Sequence, residues 1–225
     1  SGYDNIPTTL PSGEATAGKL SFKLRIEELA KDIAEFCGCS QAMTYSFESP
    51  KVFDKLLMPK DSKLRETVTI MNPLGEDYSI MRTTPLNGML TSLSTNYNRR
   101  NKNVRLYEIG NIYLPKALPV TELPEERTQF TLGMYGEGDF FTMKGVVEEF
   151  FDKVGLHEKI SYDPNAGRSF LHPGRQANIV YRGNVVGYLG EIHPAVTDNY
   201  AIGERVYIAV IDMTFVVEYA FFHRK

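Results

Sequence analysis

An α+β domain, built on an antiparallel sheet flanked by helices, is the fold class this sequence predicts. Three observations predict it. Apolar stripes at helical spacing occur at wide intervals, within residues 22–37, 86–97 and 140–154. The C-terminal third is a run of strand-like segments joined by short turns, the pattern of antiparallel pairing. Single strands do not alternate regularly with helices, as repeated βαβ units would require. With 225 residues, 42% of them hydrophobic, the chain can bury roughly 70% of its unfolded surface.

Residues 1–18 hold Pro7, Pro11 and three glycines without periodicity, and read as an extended arm or linker ahead of a module spanning 19–218. The first helix carries Phe22, Ile26, Leu29, Ala30, Ile33, Phe36 and Cys37 on one side, with Lys23, Glu27, Glu28, Lys31, Asp32 and Glu35 on the other. Ser21 is placed to cap its start and Gly38 to end it. "QAMTYSFES" (41–49) alternates as a strand, "KVFDKLLM" (51–58) is a short amphipathic helix, and "ETVTIMNPLG" (66–75) is a strand ending in a turn at Asn72–Gly75. Thr84-Pro85 opens the next helix, whose stripe is Leu86, Met89, Leu90, Leu93 and Tyr97. Arg99, Arg100 and Lys102 follow, suited to a helix C-terminus.

"NVRLYEIGNIYL" (103–114) is a strand whose two parities are each apolar with one charge: Glu108 beside Val104 and Leu106, Arg105 beside Tyr107 and Ile109. A charge on an apolar face needs a partner. Either the two form a structural ion pair or the strand binds a ligand. Three prolines, Pro115, Pro119 and Pro124, make the next connection irregular. Then come a strand (127–136), a helix (139–155) with Asp139 as its cap, and a meander turning at Arg182-Gly183-Asn184. A long apolar strand, "RVYIAVIDMT" (205–214), closes it. Residues 219–225 read as the start of a linker.

A net charge of −3 argues against a dedicated nucleic-acid clamp. Cys37 and Cys39 stand too close for an ordinary disulfide and lack the second pair a zinc site needs; as free thiols they suit a reducing cytoplasm. No apolar run reaches the length of a membrane span. His172 and His193, each followed by proline, have two readings. They could pair with Glu191 or each other as acid–base or metal partners, or simply close strand-end turns; the turn reading is favoured. Glu148 and Glu149 point about 100° apart on a helix and cannot share a metal. "GEGD" (136–139) is too acidic to cradle phosphate. The basic run around Arg99, Arg100, Lys102 and Arg105 lacks interleaved aromatics, so a solvated helix end is favoured over a tRNA contact.

Six stretches, in order, resemble the beta-chain family of the tetrameric bacterial phenylalanine–tRNA ligase: "GYDNIPTTLP", "MRTTPLNGMLTSLSTNYNRR", "VRLYEIGNIYL", "FFTMKGVVEEFF", "LHPGRQA" and "GYLGEIHPAV". The resemblance covers nearly the whole chain and falls on the family's central catalytic-like module, implying a class II aminoacyl-tRNA synthetase-like core. Active class II enzymes carry, on a strand resembling "RLYE", an arginine for the adenylate phosphate and an acid for the amino group or adenine. They add another arginine on a Gly-rich strand–helix turn. Here Arg105 and Glu108 fall on opposite faces, and Gly203-Glu204-Arg205 leads into a strand. The resemblance thus implies a non-catalytic module in which Arg105 and Glu108 pair structurally, and no cofactor is expected on it. The whole assembly is expected to use ATP and magnesium. The implied partner is the catalytic alpha chain, in a cytoplasmic (αβ)₂ tetramer acting on tRNA(Phe), with weak or no tRNA contact here. The family's magnesium cluster, editing pocket and anticodon-binding end are expected outside this stretch. The stripes Ile26, Leu29, Ile33 and Leu86, Met89, Leu90, Leu93 are the candidate subunit interface. The alternatives are a live adenylating site at Arg105 and Glu108, or a tRNA-contacting module using Arg99, Arg100 and Lys102.

Overall fold

The computed structural model describes residues 13–71, 74–136 and 140–223. In chain order its elements are α1 (Gly13–Phe36), β1 (Ser40–Gln41), β2 (Phe47–Glu48), α2 (Val52–Lys55), β3 (Ile80–Met81), α3 (Leu86–Asn98), β4 (Val104–Leu114) and β5 (Glu125–Tyr135). Then follow α4 (Phe140–Lys153), β6 (Ile160–Asp163), β7 (Leu171–Tyr181), β8 (Asn184–Ile192), α5 (Pro194–Asn199), β9 (Val206–Asp212) and α6 (Met213–His223). Seven strands form one sheet in the order β1-β4-β5-β9-β8-β7-β6, and β2 pairs with β3 in a separate ribbon. Every pair is antiparallel except β1 with β4. This is the flanked α+β sheet that the sequence predicts.

Strand alternation sends neighbouring side chains to two separate cores. On one face, Tyr107 of β4, Phe130, Leu132 and Met134 of β5, and Ala209 and Ile211 of β9 meet α1, α4 and α6. On the other, Val104 and Leu106 of β4 and Val206, Ile208 and Val210 of β9 meet α2, α3 and α5. The last eight residues of β5 are all buried, as a central strand covered on both sides must be. Each large side chain so buried contributes roughly 1.5–3 kcal/mol relative to exposure, which is why the helix stripes stand out in the sequence.

Some expected boundaries change. α1 is already helical at Gly13, so residues 13–18 extend the helix and Ser21 lies inside it. The stretch 42–46 is not a strand; Ala42 alone reaches the sheet, its N–H donating to Tyr107 O at 2.8 Å. Residues 66–71 contribute a single bridge, Thr69 to Ile80. The turn expected at Asn72–Gly75 and the cap expected at Asp139 fall partly or wholly outside the described residues. Arg182 (φ 48°) and Gly183 (φ 80°) form a two-residue turn, and Asn184 already pairs with Tyr181. At the C-terminal side β9 stops at Asp212, whose Oδ1 accepts from the N–H of Phe215 (3.2 Å) and caps α6. Residues 219–223, expected as linker, are the end of that helix. Apolar nearly all round, α6 shows no stripe and merges with the strand before it when read by pattern alone.

Candidate functional site

The strand β4 holds the two charges on which a synthetase-like chemistry would turn, and each is committed to the chain's own structure. Glu108 accepts from the Thr44 N–H at 2.6 Å and from the Thr44 hydroxyl at 2.7 Å. The same hydroxyl accepts from Arg82 Nη1 at 2.9 Å, and Arg82 Nη1 lies 3.5 Å from Glu108 Oε1. Arg82 Nε donates to Asn111 O at 2.7 Å. Arg82 is 2% exposed and Glu108 6%, so this is a buried, interlocked pair. Two glycines make room for it. A Cβ on Gly110 would stand 2.6 Å from Arg82 Nη2, and one on Gly88, inside α3, would stand 2.5 Å from Thr44 Oγ1.

The expected Arg105–Glu108 pair is therefore corrected. The two side chains leave opposite faces of β4, and Glu108 takes its cation from Arg82, 26 residues earlier in the chain. Arg105 instead donates from Nη1 to Cys37 O at 2.8 Å, a cation set on the carbonyl end of α1. Beside it, Tyr107 donates to Glu35 Oε1 at 2.8 Å. On the Glu108 face, Met89 and Leu93 of α3 lie over Gly133, where a Cβ would be 2.8 Å from Met89 Cγ. The strand–helix junction after β9 carries Asp212, held by Arg127 Nη2 at 2.6 Å, and no glycine.

The residues expected to face a partner pack largely within the chain. Leu86, Met89, Leu90 and Leu93 are completely buried, Ile26 and Ile33 lie in the opposite core, and Leu29 packs against that core. Six of the seven are thus buried within the chain, and Leu29 is half-buried. Exposed apolar side chains stand elsewhere: Met43, Tyr45, Phe47 and Tyr78 around the β2–β3 ribbon, and Leu20 and Leu24 on the outer side of α1. The first four line an open cavity of about 610 Å³ that also reaches Glu48 and Asn87.

Both histidines of interest serve their own backbone. His172 Nδ1 accepts from Gly174 N–H (3.1 Å), and His193 Nδ1 caps α5 by accepting from Ala195 N–H (3.0 Å). Glu191 is bound by Arg175 at 2.8 Å. Arg99, Arg100 and Lys102 are exposed past the end of α3. Cys37 and Cys39 are free thiols, with burial pushing Cys39 up to about 11. Among the described residues no group of three or more His, Cys, Asp or Glu is arranged to hold a metal ion, and no helix is long and apolar enough to cross a membrane.

Residues 6–213 match the sequence model of the phenylalanyl tRNA synthetase beta chain CLM domain. The chain belongs to that family. The phenylalanine–tRNA ligase beta subunit of Clostridium acetobutylicum is 44% identical over 225 residues, 100% of this chain and 28% of that protein. The beta subunit of Clostridium tetani is 43% identical over 224 residues, with the same shares. The chain thus spans about 28% of the length of these relatives. A crystal structure of pyrrolysyl-tRNA synthetase from Desulfitobacterium hafniense superposes with a TM-score of 0.70 at 14% identity, covering 88% of this chain and 68% of that one. At such identity the likeness is one of fold.

Sequence reasoning missed Thr44, Arg82 and Glu48. Signals for the first two existed. Gly88 in a helix interior and Gly110 in a strand interior each cost stability unless something must approach closely, and what approaches is Thr44 and Arg82.

Proposed function

We propose that this chain is the non-catalytic, synthetase-like module of a phenylalanine–tRNA ligase beta subunit, and that it serves as a docking body for the catalytic alpha chain. The observation that carries this reading is the occupancy of β4 by the chain itself: Arg82 and Thr44 hold Glu108, and the α1 terminus holds Arg105. An adenylating site needs an arginine and an acid converging on one open pocket, and here they diverge into filled ones. In the assembly so proposed, an (αβ)₂ tetramer in the cytoplasm, the alpha chain joins phenylalanine to tRNA(Phe) with ATP and magnesium. The partner surface is the apolar rim of Met43, Tyr45, Phe47 and Tyr78, with Leu20 and Leu24 of α1. Arg99, Arg100 and Lys102 lie apart from it, without aromatic neighbours in the run, and carry at most weak, salt-sensitive tRNA contact.

Phenylalanine-dependent pyrophosphate exchange tests the reading. The chain alone is expected to be silent, and the full-length beta subunit co-expressed with a cognate alpha chain is expected to form a stable, active complex. Exchange by this chain alone overturns the proposal.

A further inference from the structure

Glu48 is 4% exposed, and its Oε1 is the one buried side-chain oxygen or nitrogen among the described residues without a hydrogen-bond partner. It lines the cavity of about 610 Å³ whose exposed rim includes Met43, Tyr45, Phe47 and Tyr78. Within the ribbon, β2 is bonded to β3 on one side, and the described residues provide no strand on its other edge. A buried acceptor left unmet is costly, so such an atom at the wall of an open cavity marks where a donor is missing. Arg82 does not supply it: its Nε donates to Asn111 O and its Nη1 to Thr44 and Glu108.

We propose that the Glu48 cavity is a socket for one cationic side chain, an arginine or lysine, of the alpha chain, with the aromatic rim packing around its stem. This rests on the docking role proposed above. Continuity favours that occupant: the acceptor lies under the same exposed apolar rim, and a buried carboxylate complements a cation while the exposed ring of Tyr45, packed edge-to-face on Tyr78, can lie against its stem. Burial pushes Glu48 up to about 7, opposed by the Asn87 side chain and by Arg82. The remaining charged groups facing the cavity are Asp77, Lys51 and Lys55, with the Tyr200 hydroxyl behind. A cation seated there lowers the Glu48 value, so docking at pH 7 releases protons from this carboxyl.

The experiment uses the full-length beta chain and its alpha chain, with Glu48→Gln as the near-isosteric variant. Calorimetric titration in two buffers of different ionisation enthalpy reads affinity and proton release together. Expected for Glu48→Gln are association at least tenfold weaker, loss of the wild-type proton release at pH 7, and a melting temperature of the free beta chain that is not lowered. Unchanged affinity and proton release sink the socket, since they mean that the cavity is filled by another part of the beta chain or by nothing. Weaker association with a lowered melting temperature assigns Glu48 a structural role and also sinks it. Self-association of the beta chain that the variant abolishes gives the socket to a second copy and overturns the alpha-chain assignment. A wild-type beta chain that never assembles with alpha removes the docking reading itself, and this inference with it.

Discussion

The buried pair Arg82–Glu108 has a cost that only its completeness offsets. Removing one partner strands a charge inside the protein, and such changes typically cost about 3–5 kcal/mol. Arg82→Met is therefore expected to lower unfolding stability by roughly that amount in urea titrations. Adding Glu108→Gln should recover more than half, because the neutral amide keeps a hydrogen-bond partner for Thr44. Additive losses in the double variant would show that the two groups are not coupled. Glu48 gives a second expectation, with a definite sign. Its folded value, about 7, lies above the usual 4.5, so its contribution is fully present below about 4.5 and is lost as pH rises through 7. The wild-type stability of the free chain minus that of Glu48→Gln should fall by on the order of 3 kcal/mol between pH 4.5 and 8. A pH-independent difference would mean that Glu48 is not held protonated. The need for a partner to Glu108 was legible in the sequence, since Val104 and Leu106 share its face. The partner's identity was not. The expected partner, Arg105, lies on the other face of the strand, and Gly110 signals a close approach without naming Arg82, 26 residues earlier, as what approaches.

At the scale of elements, periodicity made α1, α3 and α4 legible, because each has one face against a core, while β4, β5 and β9, buried on both faces, stand out as long runs of strand-forming residues. It failed where this condition fails. α6 is apolar on nearly every side, β6 is four residues long, and 42–46 alternates without belonging to the sheet. The glycines of the helices test how elements approach one another. Gly145 of α4 has nothing within 4 Å of an added Cβ, so Gly145→Ala should stabilise by about 0.5–1 kcal/mol through helix propensity alone. Gly88 of α3 carries the same propensity gain, yet its Cβ would meet Thr44 Oγ1 at 2.5 Å and Thr44 Cβ at 2.7 Å. Displacing Thr44 breaks the network around Glu108, so Gly88→Ala should destabilise. Thermal melting of the two variants checks the contrast. A Gly88→Ala variant as stable as Gly145→Ala would show that α3 does not depend on that close approach.

For the molecule as a whole, a sheet buried on both faces leaves its exposed apolar surface at the periphery. Met43 is 88% exposed and Tyr45 76%, beside an open cavity, and such side chains gain by being covered. In the absence of an alpha chain the available cover is a second copy, so the chain is expected to self-associate at high concentration in sedimentation velocity. Replacing Tyr45 and Phe47 with serine should abolish that association. It should leave the urea midpoint nearly unchanged, since exposed substitutions away from a core usually cost within about 0.5 kcal/mol. The two readouts separate the causes. Reduced association at constant stability places the sticky surface at the β2–β3 ribbon. Association that survives the replacement moves it to Leu20 and Leu24 of α1, or to Phe36 at that helix's end, which is 93% exposed. A wild-type chain that stays monomeric at all concentrations shows that the rim is too small to drive association, and the docking role would then need a different face of the molecule.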